Sequence, residues 1–162
     1  MKQFLSLILI LIFSISYADD IKIVTKEIKD SSIELRYHTS GKYPQLDGMK
    51  DEDVQKKINK EIYETMKRGI DDFKIDMAEW DLSSIPDYFN SELEYSYTSY
   101  TLTDDLFSFA FGVYSFYAGS AHPNHWTISM NFDLKNGMKI AFKDLFNPKV
   151  KYLEKISTYC IK

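Results

Sequence analysis

From Trp126 to Leu134 the chain alternates without a break. Trp126, Ile128, Met130, Phe132 and Leu134 are apolar, and Thr127, Ser129, Asn131 and Asp133 between them are polar. A period of two means a strand with one face packed and one face wet, which restricts the chain to folds built on a half-covered sheet. Asn136-Gly137 follows, and Met138, Ile140 and Phe142 resume the pattern. Parity then selects the turn. A two-residue loop would pair Leu134 with Lys139 and put the two apolar sets on opposite faces. A three-residue loop, Lys135 to Gly137, pairs Leu134 with Met138 and Phe132 with Ile140. The expectation is a type I turn with Gly137 left-handed in a bulge.

Upstream the same logic gives more strands. Ile21 to Ile28 reads as a first strand, Asp30-Ser31-Ser32 as a turn, and Ile33, Leu35 and Tyr37 as the apolar face of a second strand. Gly41, Tyr43-Pro44 and Asp47-Gly48 predict an irregular connection. Leu93, Tyr95 and Tyr97 mark a third strand, turned by Thr103-Asp104-Asp105. Phe107, Phe109, Phe111 and Val113 share one face of a fourth. Tyr114 and Phe116 then take over the even positions. A bulge near Val113 to Ser115 explains that switch, and so does a strand buried on both faces.

One long helix is expected from Asp51 to about Met77. Val54, Ile58, Ile62, Met66, Ile70, Phe73 and Met77 form its apolar stripe, and Asp51, Glu52 and Asp53 sit in its first turn. Gly69 marks a bend or a close contact. Met77 to Asn90, with Trp80 and Pro86, returns the chain to the sheet. Asn147-Pro148 predicts a second helix, with Val150, Leu153, Ile156 and Cys160 on its apolar side.

Residues 1–18 read as a signal peptide: Lys2, an apolar run from Phe4 to Ile15, then Ser16-Tyr17-Ala18 before Asp19. The mature chain is expected to be periplasmic or secreted, with no membrane span after cleavage. Losing Lys2 takes the formal charge from −4 to −5, which argues against nucleic acid as a partner. Cys160 is the only cysteine. No internal disulfide can form, and a buried thiol on the helix is expected.

Tyr117-Ala118-Gly119-Ser120-Ala121-His122, Asn131-Phe132-Asp133-Leu134, Gly137 and Asp144-Leu145-Phe146 together resemble an exported bacterial domain family. It includes the extracytoplasmic domain of the anti-sigma factor RsiV and the accessory domain of the peptidoglycan deacetylase PdaC. Tyr43-Pro44 and Ile58-Asn59 also fit it. Ser120 departs from the family's usual second glycine. The resemblance implies residues 19–115 as a PdaC-like part and 116–162 as an RsiV-like part, incomplete at its C-terminus because the family adds further strands there. The fold class expected is α+β: an antiparallel sheet of about six strands, one long helix packed on it, and a C-terminal helix.

The same resemblance implies a non-catalytic binding domain of the cell envelope, with a lysozyme-type hydrolase or a cell-wall glycan as partner. Tyr117, Ser120, His122, Asn124, His125 and Trp126 are the candidate ligand-binding residues. Gly119, Ala121, Asn136, Gly137 and Asp144 are candidate structural residues. No catalytic residue, metal or cofactor is assigned. The alternatives are an envelope hydrolase or metal-assisted enzyme using the His122–His125 loop, and a truncated copy without function. Ser120 and His122 lie close, but no nucleophile elbow surrounds them. His122 and His125 would need Asp133 or Asp144 to complete a metal site. The aromatics Tyr114, Phe116, Tyr117 and Trp126 flank the loop, as core or as a ligand platform.

Overall fold

The computed structural model describes residues 20–161. The expected signal peptide lies outside them. The order is β1 (Lys22–Ser32), β2 (Tyr37–Asp47), α1 (Glu52–Glu79), β3 (Ser91–Leu102), β4 (Leu106–Phe116), β5 (Asn124–Asp133) and β6 (Met138–Lys139), then a 3₁₀ turn (Phe142–Leu145) and α2 (Tyr152–Cys160). All six strands form one sheet in sequence order. The α+β architecture is as expected. The sheet is mostly antiparallel: only β2 and β3, which α1 connects, pair in parallel.

Helix α1 starts where Asp51 caps it, its Oδ1 accepting from the amides of Asp53 and Val54, each at 3.0 Å. Its stripe from Ile58 to Met77 is buried. Each such side chain contributes about 1.5–3 kcal/mol on leaving water, well above any helix propensity. The stripe lies on the face of the sheet that carries Tyr37, Leu93, Tyr95, Phe107, Phe109, Phe111, Val113, Met130 and Phe132. Gly69 is a close contact, as one of the two expectations had it: a Cβ there would collide with the Tyr95 hydroxyl.

β2 pairs with β3 only from Tyr37 to Gly41, so its later residues need other partners. Asn59 of α1 supplies them. Its Oδ1 accepts from the Leu46 amide at 2.7 Å, and its Nδ2 donates to the Leu46 carbonyl at 2.8 Å. A helix side chain thus completes a strand edge.

Several local expectations are corrected. Asp30 to Ser32 are strand, and the hairpin turns at residues 33–36, with Arg36 left-handed at φ 47°. Ile33 is almost fully exposed there. Arg36 is held by what its guanidinium reaches, the carbonyls of Leu82 and Ile85, both at 2.9 Å. Residues 41–47 are not an irregular connection but the second half of β2, because β1 pairs with them throughout. No bulge lies at 113–115, where β4 keeps unbroken register with both neighbours. The buried odd positions simply continue to Ser115. The register shift is in β3, between Ser99 and Thr101.

The β5–β6 loop is four residues, not three. Asp133 pairs with Met138 and Phe132 with Lys139. Leu134 pairs with nothing on β6 but continues the register with β4: its amide donates to the Asp105 carbonyl at 2.9 Å, one step beyond the Leu106–Asp133 pair, and its side chain is buried. Gly137 is left-handed as expected, at φ +65°. Helix α2 begins at Tyr152, not at Asn147-Pro148. The Asn147 side chain caps an isolated turn instead, accepting from Lys149 at 2.9 Å. No residue of α2 is buried, and Cys160 is exposed rather than buried. Of the side expected to be apolar, Ile156 is half-buried and Leu153 and Cys160 are exposed.

Candidate functional site

The loop singled out in the sequence begins where β4 ends. Ser91, fully buried, accepts the Ala118 amide at 2.9 Å, and Trp80 Nε1 donates to the Ala118 carbonyl at 3.1 Å. Tyr117 packs between Phe73, at 5.2 Å, and Trp80, at 4.9 Å. Its hydroxyl donates to Asp76 at 2.8 Å. Burial first, then the Asp76 carboxylate, push the phenol up to about 12. Gly119 turns the chain at φ +88°, and a Cβ there would also sit 2.7 Å from Ile85.

Beyond that turn the loop is wet. Ala121, His122, Asn124 and His125 are exposed. Ser120 Oγ donates to the His122 carbonyl at 3.4 Å, and His122 Nδ1 pairs with the Pro123 carbonyl at 3.1 Å. Ser120 and His122 therefore do not form a nucleophile–base pair. Among the described residues no group of three His, Cys, Asp or Glu side chains is placed to hold a metal. Asp133 and Asn136 organise the β5–β6 turn. Asp144 accepts the Ala141 amide at 2.8 Å.

The candidate ligand-binding residues do not converge. Tyr117 lies against α1. Trp126 is opposite Val113, on the side of the sheet that α1 covers, although it is 43% exposed. His125 is opposite Tyr114, on the other side, and the two rings meet edge to face at 5.2 Å.

That other side is the more coherent surface. Glu92, Glu94, Ser96, Gly112, His125 and Thr127 are exposed on it. Register aligns Glu94, Tyr114 and His125 in one row across β3, β4 and β5, and Ser96, Gly112 and Thr127 in the next. The missing side chain of Gly112 leaves a groove between Glu94, Ser96, Tyr114, His125 and Thr127. A second groove continues from Glu94 over Glu92, His38, Ser40 and Lys29. The surface offers one aromatic wall, hydroxyls and carboxylates. Of these residues the sequence singled out only His125 as a ligand contact, with Tyr114 as a flanking aromatic. Glu94, Ser96 and Gly112 were visible only as the polar half of an alternation. Which polar rows become neighbours depends on register, which the alternation leaves open.

A family model described as deacetylase PdaC matches residues 26–125. Among solved structures, the chain resembles a DUF3298-family protein from Bacteroides fragilis NCTC 9343, with TM-score 0.52 and 13% identity over 87% of this chain and 66% of that one. It also resembles a DUF3298-family protein from Pseudomonas aeruginosa PAO1, with TM-score 0.51 and 15% identity over 87% of this chain and 65% of that one. The chain thus spans just under two thirds of each, and at these identities the likeness is one of fold. No curated protein matches.

Proposed function

The chain belongs to the family of the deacetylase PdaC, and on that premise we propose that it is an exported, non-catalytic binding domain of the cell envelope whose ligand is a cell-wall glycan. The observation that carries this reading is the groove floored by Gly112 and walled by the Tyr114–His125 pair. A sugar ring presents a C–H face that suits an aromatic wall, and hydroxyls that suit Ser96, Thr127 and the Glu94 carboxylate. The groove is open and shallow, which fits a polymer passing across the strands better than an enclosed small molecule. Among the described residues no helix is long and apolar enough to cross a membrane.

The test is calorimetric titration of residues 19–162 with soluble oligosaccharides released from peptidoglycan. Saturable binding by the wild type, and its loss in Gly112→Val, is the expected result. Absence of binding, or full binding by the variant, overturns the reading.

The exposed carboxylates of Glu92 and Glu94 favour one second reading, a cationic lysozyme-type hydrolase as the partner. Binding to lysozyme at low and moderate salt decides it, and no binding at either salt excludes it.

A further inference from the structure

Resting on the glycan reading, we infer that Glu94 sets the specificity of the groove, selecting hexosamine units whose amino group is free over units whose nitrogen is acetylated. Register places Lys29, Ser40, Glu94, Tyr114 and His125 in one row across β1 to β5. With neighbouring strands about 4.8 Å apart, the row is about 19 Å long. The two grooves on this side meet at Glu94, which lines both. A polymer crossing the strands from either end therefore passes over its carboxylate.

The surroundings leave that carboxylate uncommitted. Its cross-strand neighbours are Ser40 on β2 and Tyr114 on β4, neither of them a cation. Lys29, at the end of the row, is two strands away and paired with Glu27 at 3.0 Å. Among the described residues Glu94 forms no ion pair. Glu92, on the same face of β3, lines the groove that runs toward β1, with His38 opposite it.

Chemistry then selects the sugar. A carboxylate accepts hydrogen bonds and donates none. An acetamido group offers it one neutral N–H. A free ammonium offers three, and the bond is charged on both sides, which makes it shorter and stronger. The Tyr114–His125 pair supplies the placement. A ring lying on that wall has Glu94 one strand away, about 4.8 Å, within reach of a ring substituent. Glu92 and Glu94 together make the track acidic, which disfavours wall polymers that carry carboxylate or phosphate.

Calorimetric titration of residues 19–162 tests this with two probes of equal length, glucosamine oligomers from chitosan and their N-acetylated counterparts from chitin. Salt at about 0.15 M screens the acids elsewhere on the chain. The wild type should bind the free-amine oligomer about five-fold tighter, the scale of one exposed charge pair. Glu94→Gln keeps the size of the side chain and should bind both oligomers alike, at the wild type's affinity for the acetylated one. Glu79→Gln, which removes an exposed carboxylate of α1, should keep the preference. Four results overturn the inference and leave the glycan reading standing. They are equal or reversed affinities in the wild type, a preference that survives in Glu94→Gln, one that vanishes in Glu79→Gln, and loss of both oligomers in a folded Glu94→Gln. A wild type that binds neither oligomer overturns the glycan reading and the inference together.

Discussion

Gly69 and Gly112 are both glycines inside regular elements, and they are there for opposite reasons. Gly69 makes room for a core side chain. Alanine there would gain about 1 kcal/mol of helix propensity but drive a Cβ into the Tyr95 hydroxyl. Tyr95 is buried and cannot swing away. Overpacking at about 1–3 kcal/mol outweighs the gain. Gly69→Ala should lower the urea midpoint, and adding Tyr95→Phe should restore part of it. Gly112 makes room for solvent. An added Cβ meets only the Ser96 hydroxyl, at 3.2 Å, which can rotate. Gly112→Val should therefore leave the urea midpoint unchanged within about 0.5 kcal/mol, or raise it, because valine suits a strand. Any loss of ligand would then be a loss of groove. The two glycines look alike in the sequence. Gly69 could be read as a close contact from its place in a helical stripe, but nothing near Gly112 signalled an open floor.

At the scale of the element, β2 shows how a strand can outlast its partner. Past Gly41 it has β1 on one side and Asn59 on the other. Asn59→Leu keeps the bulk and strands the Leu46 amide and carbonyl in a buried position. A cost of about 2–4 kcal/mol follows from two unsatisfied groups, readable in the urea midpoint. Helix α2 is the contrasting case. It buries no residue, and its first residue, Tyr152, stacks on Phe146, which in turn meets Phe142 edge to face. Amide exchange in α2 should be faster than anywhere in α1. Limited trypsin digestion should cut at Lys149, Lys151 or Lys155 before it cuts α1. Of the apolar stripe read from Val150 to Cys160, Leu153, Ile156 and Cys160 lie in the helix and Val150 precedes it. A period shows which residues share a face, but not whether anything covers that face.

For the molecule as a whole, the union of helix and sheet has a pH signature. Lys74 of α1 pairs with Asp30 of β1. The bond holds Asp30 below its ordinary 3.8 and lifts Lys74 above its ordinary 10.5. Asp30's contribution is therefore full above pH 3.8 and disappears as pH falls through its lower folded value. Lys74's is full below pH 10.5 and disappears as pH rises through its higher one. Both side chains are about a third or more exposed, so the pair contributes about 1 kcal/mol or less. Tyr117 adds an alkaline branch. Its phenol is raised from 10.0 to about 12, so stability should fall between those values. Tyr117→Phe should flatten that branch by about 1 kcal/mol after solvent screening. Urea midpoints measured from pH 3 to pH 12 would show both limbs; an unchanged alkaline limb in the variant would remove Tyr117 as a cause.

By itself the sequence determined the class of fold, the α1 stripe, the faces of β3, β4 and β5, and the left-handed Gly137. These follow from periods of two and 3.6 and from local φ preferences, which short stretches encode alone. Tertiary structure decided the rest. β2 and β3 run parallel because α1 lies between them. The first hairpin turns at residues 33–36 because Arg36 finds the carbonyls of Leu82 and Ile85. Leu134 turns away from β6 because the Asp105 carbonyl, just ahead of β4, and the core hold it. The candidate loop at 117–125 divides between the two faces of the sheet. Glu94, Ser96, Gly112, Tyr114 and His125 come together because register aligns them from three strands. Those outcomes rest on partners far away in the chain, and no local pattern names a distant partner.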